Sequence, residues 1–270
     1  MLGLTTLLWG LSYSIQAISA KDLGPFTTVF FKGAGGLFLL PLLIIQKKRI
    51  TKREAVGGIL MGFFAFAGCL LQQLGIIYST VSKASFITAL YIVFVPLIEI
   101  FLGQKVSRKI WISVGVAIIG LYLLCMHSTG GINIGDLFLL IGSVMFAFQI
   151  IVIDRMVRDS DPLVLTFVSQ TAVAFFSFAV MIFKEKVDFS AIGRSFPAIF
   201  FIVFIGGLLA QCIQIRYQRD LDSSLASLLM SFESVFGALF GWLILHQVMS
   251  AREIMGCVLV FIAILVAETK

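Results

Sequence analysis

Leu102-Gly-Gln-Lys-Val-Ser107 and Leu245-His-Gln-Val-Met-Ser250 carry leucine, glutamine and serine in register, at a constant offset of 143 residues. Three identities in six residues are a weak repeat alone, so the weight lies in where the two copies fall. Each closes a long apolar run, and the whole chain is built of such runs. Of its 270 residues 60% are hydrophobic and 13% charged, and the mean hydropathy is +1.07. A soluble domain carries about 25% charged residues. A run of ~20 apolar residues, wound as a helix at ~1.5 Å per residue, crosses the ~30 Å hydrocarbon core of a bilayer. Cutting the chain at charged or turn-rich breaks gives ten such segments, near 2–20, 26–45, 55–77, 84–102, 110–127, 134–153, 162–183, 195–215, 223–245 and 251–267. The expected fold is an all-α membrane protein of ten transmembrane helices. Both copies of the motif lie between the fourth and fifth segments of their half, which divides the chain into five-helix repeats at 1–130 and 131–270. Five is odd, so the second repeat is expected to lie upside down relative to the first. Inverted repeats are a transporter architecture, with a site near the midplane where the halves meet.

Charge sets the expected orientation, because cytoplasmic loops gather Lys and Arg. With the N-terminus inside, the inner loops hold thirteen basic residues, among them Lys47, Lys48, Arg49, Lys105, Arg108, Arg155, Arg158, Arg216, Arg219 and Lys270. The outer loops hold six: Lys21, Lys83, Lys184, Lys186, Arg194 and Arg252. Both termini are therefore expected in the cytoplasm of a multi-pass cell-membrane protein. The first segment lacks the basic start of a secretory signal and reads as a retained helix. The net charge of +6 is a topology signal. No basic stripe interleaved with exposed aromatics remains for nucleic acid. Cys69, Cys125, Cys212 and Cys257 sit in apolar runs without CxxC or His spacing, so neither disulfides nor metal ligands are expected.

Several stretches resemble the drug/metabolite transporter superfamily, in its ten-helix EamA-type branch. Trp9-Gly10 with Ser12, then Leu23-Gly-Pro-Phe26, resembles the opening pattern of that branch. Lys83 through Pro96 resembles its fourth helix, Ala226 through Phe236 its ninth, and Gly256 with Val258-Leu-Val260 its tenth. Lys32 stands where the family usually has Arg, Gln104 and Gln247 where it often has Glu, and Ser234 where Pro frequently follows the ninth-helix Glu. The resemblance covers nearly the whole chain. It implies ten helices around a central cavity, and exchange of small molecules by alternating access.

Polar side chains are costly in hydrocarbon, so those facing a common cavity are the natural candidates for substrate contact. The eighth segment repeats Gly207, Gln211, Gln214 and Gln218 at helical spacing, and the ninth repeats Ser224, Ser227, Ser231 and Ser234. The first offers Trp9, Ser12 and Gln16, the third Gln72, the fourth Thr88 and Tyr91, and the sixth Gln149. Small and amide residues also pack membrane helices, as Gly58-xxx-Gly62 and Gly237-xxx-Gly241 do, so the serines of the ninth segment have a packing reading beside the cavity one. Glu233 lies at mid-span, and the repeat places the apolar Leu90 at its counterpart. Its carboxyl is either a coupling or amine-binding group or a hydrogen-bonded lock between helices. Because the family commonly has Glu here across many substrates, the structural role is favoured. Lys32, two turns inside the second segment, is expected to snorkel outward along its stem. Glu99 is expected to reach water or Lys105.

An intramembrane enzyme is the rival class. Gly10-Leu-Ser-Tyr13 has the look of a nucleophile motif, but the two histidines, His127 and His246, lie at membrane edges. There is no HExxH and no nucleotide loop. No catalytic residue, metal or cofactor is expected. The partners expected are a small-molecule substrate and the bilayer, with a homodimer among the assemblies the sequence permits. The cavity residues suit amino acids, other small polar metabolites or organic cations.

Overall fold

A computed structural model describes residues 1–125, 133–246 and 250–268. His127, Gln247 and Lys270 lie outside the described residues, as does most of the link between the halves. All regular structure among the described residues is helical, about 85% of the chain. The rods are α1 (Leu2–Ser19), α2 (Pro25–Ile45), α3 (Lys52–Tyr78), α4 (Val81–Phe101), α5 (Arg108–Cys125), α6 (Ile134–Val157), α7 (Pro162–Lys184), α8 (Phe196–Gln218), α9 (Ser223–Leu245) and α10 (Ala251–Glu268). A short helix, Phe189–Arg194, lies between α7 and α8.

Their starts are written in the sequence. Thr51 and Glu54 form a reciprocal capping box on α3, and Asn133 and Asp136 form one on α6. Thr80, Asp161 and Asp222 cap α4, α7 and α9, and prolines open α2 and α7.

Seven rods are long and apolar enough to cross a membrane by composition: α2, α3, α4, α6, α7, α8 and α9. In α1, the hydropathy is diluted by Thr5, Thr6, Ser12, Ser14, Gln16 and Ser19, all of which are buried, whereas Leu4 and Ile18 face outward. This polar-inside, apolar-outside arrangement suits a helix whose solvent is lipid. α10 carries the apolar stretch Ile254–Ala267.

Packing repeats between the halves. α3 lies on α6, and α8 lies on α1; α1 also lies on α9, as α6 lies on α4. α2 packs against α7 and α5 against α10. The Gly58-xxx-Gly62 pair forms the α3–α7 seam: a Cβ on Gly58 would meet Val168, and one on Gly62 the backbone of Ser169.

The opening motif becomes legible here. Gly103 and His246, second residues of the two copies, both hold left-handed backbone, at φ 80° and 54°. Each turn ends a rod, α4 in the first half and α9 in the second. His tolerates this conformation better than most residues with a Cβ.

Candidate functional site

The apolar rods α4 and α9 are each interrupted once. In α4 helical pairing lapses at Leu90, where the N–H of Leu90 bonds Ile87 O at 3.2 Å and that of Val93 bonds Leu90 O at 2.9 Å. In α9 it lapses at Ser231–Phe232, where Ser234 N bonds Ser231 O and Val235 N bonds Phe232 O, both at 3.1 Å. These i to i+3 bonds tighten the turn and swing the next side chain inward. Tyr91 and Glu233 are the first residues past the two breaks. The Tyr91 hydroxyl donates to Glu233 Oε1 at 3.1 Å, and Tyr13 of α1 donates to the same oxygen at 3.4 Å. Gln72 of α3 donates to the Tyr13 hydroxyl at 3.0 Å. Both tyrosines thus bond the same carboxyl oxygen, and Glu233 lines the space beside them.

That space is a cavity at the heart of the bundle. Trp9, Ser12 and Gln16 of α1, Gln72, Thr88, Tyr91, Gln149, and Gln211 and Gln214 of α8 line it, with Glu233 among them. Trp9 is held by a bond from its indole nitrogen to Gly206 O at 3.1 Å, within a stretch of α8, Phe201–Leu209, wound as π-helix. Wide turns of this kind recur at functional sites. Two buried amide atoms there have no partner among the described residues: Gln211 Nε2 and Gln214 Oε1. An unpaired buried polar group costs about 1–3 kcal/mol. Cys69, Phe146, Val173 and Met230 give the wall apolar surface.

Two sequence expectations change. Ser231 does not line the cavity: its hydroxyl donates to Leu228 O at 2.7 Å, and Ser227 and Ser234 likewise bond the carbonyls three residues back. A hydroxyl that donates to its own helix keeps only its lone pairs for other partners. Lys32 does not snorkel outward but lines the cavity, with no hydrogen bond or ion pair among the described residues. Its backbone lies against Gly207 of α8, where a Cβ would sit 2.7 Å from Lys32 O, and this contact turns the residue inward. Tyr13 and Gln170 also line the cavity and were missed. Tyr13 was signalled by the i, i+4 spacing from Trp9, and Gln170 by being the one glutamine of its apolar segment.

Both ends of the bundle are tied across the cavity. At the end carrying the Lys47–Arg53 turn, the Ser224 hydroxyl donates to the Glu99 carboxyl and Ser223 donates to Asp154 at 3.0 Å. Glu99 and Lys105 line one polar pocket there. At the opposite end Lys83 pairs with Asp136 at 2.7 Å, with side chains only 13% and 9% exposed. Glu185 accepts from Phe26 N at 2.7 Å and from Thr27 N at 2.9 Å, capping the start of α2. The central cavity accordingly retains about 50 Å³ of free volume. That is room for a few waters.

A model of the EamA-like transporter family matches residues 1–126 and again 133–269. The chain belongs to the EamA-like transporter family. Two matches, one per half, are the two-repeat layout of that family, and the chain is a multi-pass membrane protein with membrane-spanning helices. This EamA-like chain is 28% identical over 276 residues to an uncharacterized transporter of Archaeoglobus fulgidus, covering 100% of this chain and 85% of that one. A second uncharacterized transporter of the same organism is 22% identical over 259 residues, covering 92% and 89%. A protein of known crystal structure shares the fold with a TM-score of 0.79 at 17% identity, over 99% of this chain and 95% of the other.

Proposed function

We propose that this EamA-like protein is a secondary transporter that moves small polar metabolites, amino acids or related zwitterions, across the cytoplasmic membrane by alternating access, rather than an enzyme. The reading takes the chain as ten membrane helices in two inverted five-helix repeats, 1–130 and 131–270, with both termini cytoplasmic. One observation carries it: Lys32 and Glu233 line one small cavity, beside two amide atoms, Gln211 Nε2 and Gln214 Oε1, that have no partner among the described residues. A zwitterion supplies a carboxylate for the first, an ammonium for the second, and donors and acceptors for the amides. Buried opposite charges are tolerable as a mutually paired set and costly singly.

The present volume is too small for an amino acid, which fits an occluded resting form. Both ends tied, with breaks in α4 and α9 beside the cavity, support a cycle in which the ties open alternately. Discontinuous helices at repeat-related positions are where transporters hold their substrates.

An organic-cation exporter is the second reading, favoured by Glu233 and the tyrosines. Against it stands Lys32, a like charge in the same space. Counterflow in proteoliposomes separates the two. A neutral α-amino acid, its methyl ester and its N-acetyl form present the zwitterion, the cation and the anion of one skeleton. Exchange of the zwitterion with little exchange of the blocked forms supports the first reading. Preference for the ester supports the second.

A further inference from the structure

A groove opens on the flank of the bundle at the basic end, away from the central cavity. Leu229 and Phe232 of α9 and Phe261 and Ile264 of α10 form its walls, and Met1 and Gly3 at the start of α1 stand at its mouth with Tyr217 and Asp220. Its free volume is about 450 Å³, against about 50 Å³ for the central cavity. Phe232 lies nine residues beyond Ser223, the first residue of α9. At 1.5 Å per residue that is a depth of roughly 14 Å, close to half of a ~30 Å hydrocarbon core. The groove thus runs the depth of one leaflet, with apolar walls below and a polar mouth above. Asp220 is exposed and has no ion pair or hydrogen bond among the described residues, and the Tyr217 hydroxyl is likewise unpaired.

We propose that this groove is a binding site for one phospholipid of the leaflet on the basic side, with an acyl chain along the walls and an ethanolamine head group on Asp220. The depth argues for the chain, since an apolar surface one leaflet deep is filled by hydrocarbon. The mouth argues for the head group. A primary ammonium donates charge-assisted hydrogen bonds to a carboxylate, whereas the choline head group has no N–H to donate. The Tyr217 hydroxyl is available to the phosphate. The inner end of the chain rests against Phe232, whose ring lies 5.9 Å from that of Phe261. Phe232 immediately precedes Glu233, so the bound lipid bears on the break in α9. The inference rests on the membrane placement and not on the identity of any transported solute.

Native mass spectrometry of the full chain, released from nanodiscs of equal phosphatidylethanolamine and phosphatidylcholine, tests it. One retained phospholipid per chain is expected, with ethanolamine over choline by about three- to fivefold, the range of an exposed ion pair. Gly3→Leu places a side chain where a Cβ meets nothing within 4 Å, so it fills the mouth of the groove without a clash. It should cut retention at least fivefold while thermal stability holds or rises, since leucine is the better helix former. Asp220→Asn, a surface change, should keep a phospholipid and lose the head-group preference. Absence of a retained lipid, equal retention of the two head groups, or undiminished retention in Gly3→Leu would each overturn the proposal.

Discussion

Glu233 is at once a hydrogen-bonded group and a lining residue of the cavity. Its Oε1 is held by Tyr91 and Tyr13. The sequence favours a purely structural carboxyl, because the family it resembles commonly has Glu here across many substrates. With Lys32 in the same cavity, the hydrogen-bonded lock and the ligand-facing group become two roles of one side chain. Glu233→Gln keeps a carbonyl oxygen for the tyrosines, so it should change thermal stability in detergent by less than about 1 kcal/mol. Tyr91→Phe removes a donor and should cost about 1 kcal/mol or more. A Glu233→Gln protein that unfolds as readily as the Tyr91→Phe protein would contradict this account of the carboxyl as an acceptor for the tyrosines. Lys32 and the serines show why side-chain roles were only partly legible. A long stem two turns inside a segment reaches either water or cavity, and the Gly207 contact that decides is remote in sequence. Hydroxyls at helical spacing mark a face, but not whether that face is already satisfied by its own carbonyls.

Rod positions follow hydropathy and capping residues closely, so the expected and observed segments differ mostly by a few residues at their ends. The interruptions do not. Leu90 and Phe232 are ordinary helix residues without a Gly or Pro to announce a break, and Pro96 lies inside the helical half of α4 that follows. Gly206-Gly207 is the one local cue to the π-wound stretch of α8. The left-handed turns closing α4 and α9 give an element-scale test. Gly103→Ala should destabilise by about 1 kcal/mol, while His246→Gly should be neutral or stabilise by about 0.5 kcal/mol, as read by thermal unfolding. Effects of the opposite sign at both positions would mean that the turns are not so formed. The start of α7 gives a second test. Burial pushes the Asp161 carboxyl up, but Lys48 and the N–H groups of Leu163 and Val164 outweigh it and hold the group below the usual carboxylate range. Its contribution is therefore fully present above the ordinary aspartate range and lost as pH falls through the depressed value. Asp161→Ala should cost about 1 kcal/mol at pH 7, as the loss of a helix cap does, and the gap from wild type should shrink below about pH 4. A gap that widens on acidification would contradict this assignment.

At the scale of the molecule, the motif repeat and the odd number of rods per half predict an inverted arrangement, and the basic loops predict the orientation. Ile50→Cys and Gly131→Cys, each in a background without Cys69, Cys125, Cys212 and Cys257, should react with an impermeant maleimide from opposite sides of the membrane, position 50 from the cytoplasm. Labelling of both from one side would contradict the inversion. The cavity's existence was legible from the polar stripes on α1 and α8, because only an interior face repays amides at helical spacing in lipid. Its charge balance was not, since that depended on the inward turn of Lys32. Recognition of a zwitterion turns on that balance. Counterflow of a zwitterionic amino acid and its methyl ester, measured side by side in wild type and in Lys32→Met, tests it most directly. Removal of the ammonium should lower exchange of the zwitterion roughly 10- to 100-fold, the worth of a charged hydrogen bond, while exchange of the ester holds or rises. Unchanged exchange of the zwitterion in folded Lys32→Met protein would contradict the assignment of this cavity as the zwitterion site.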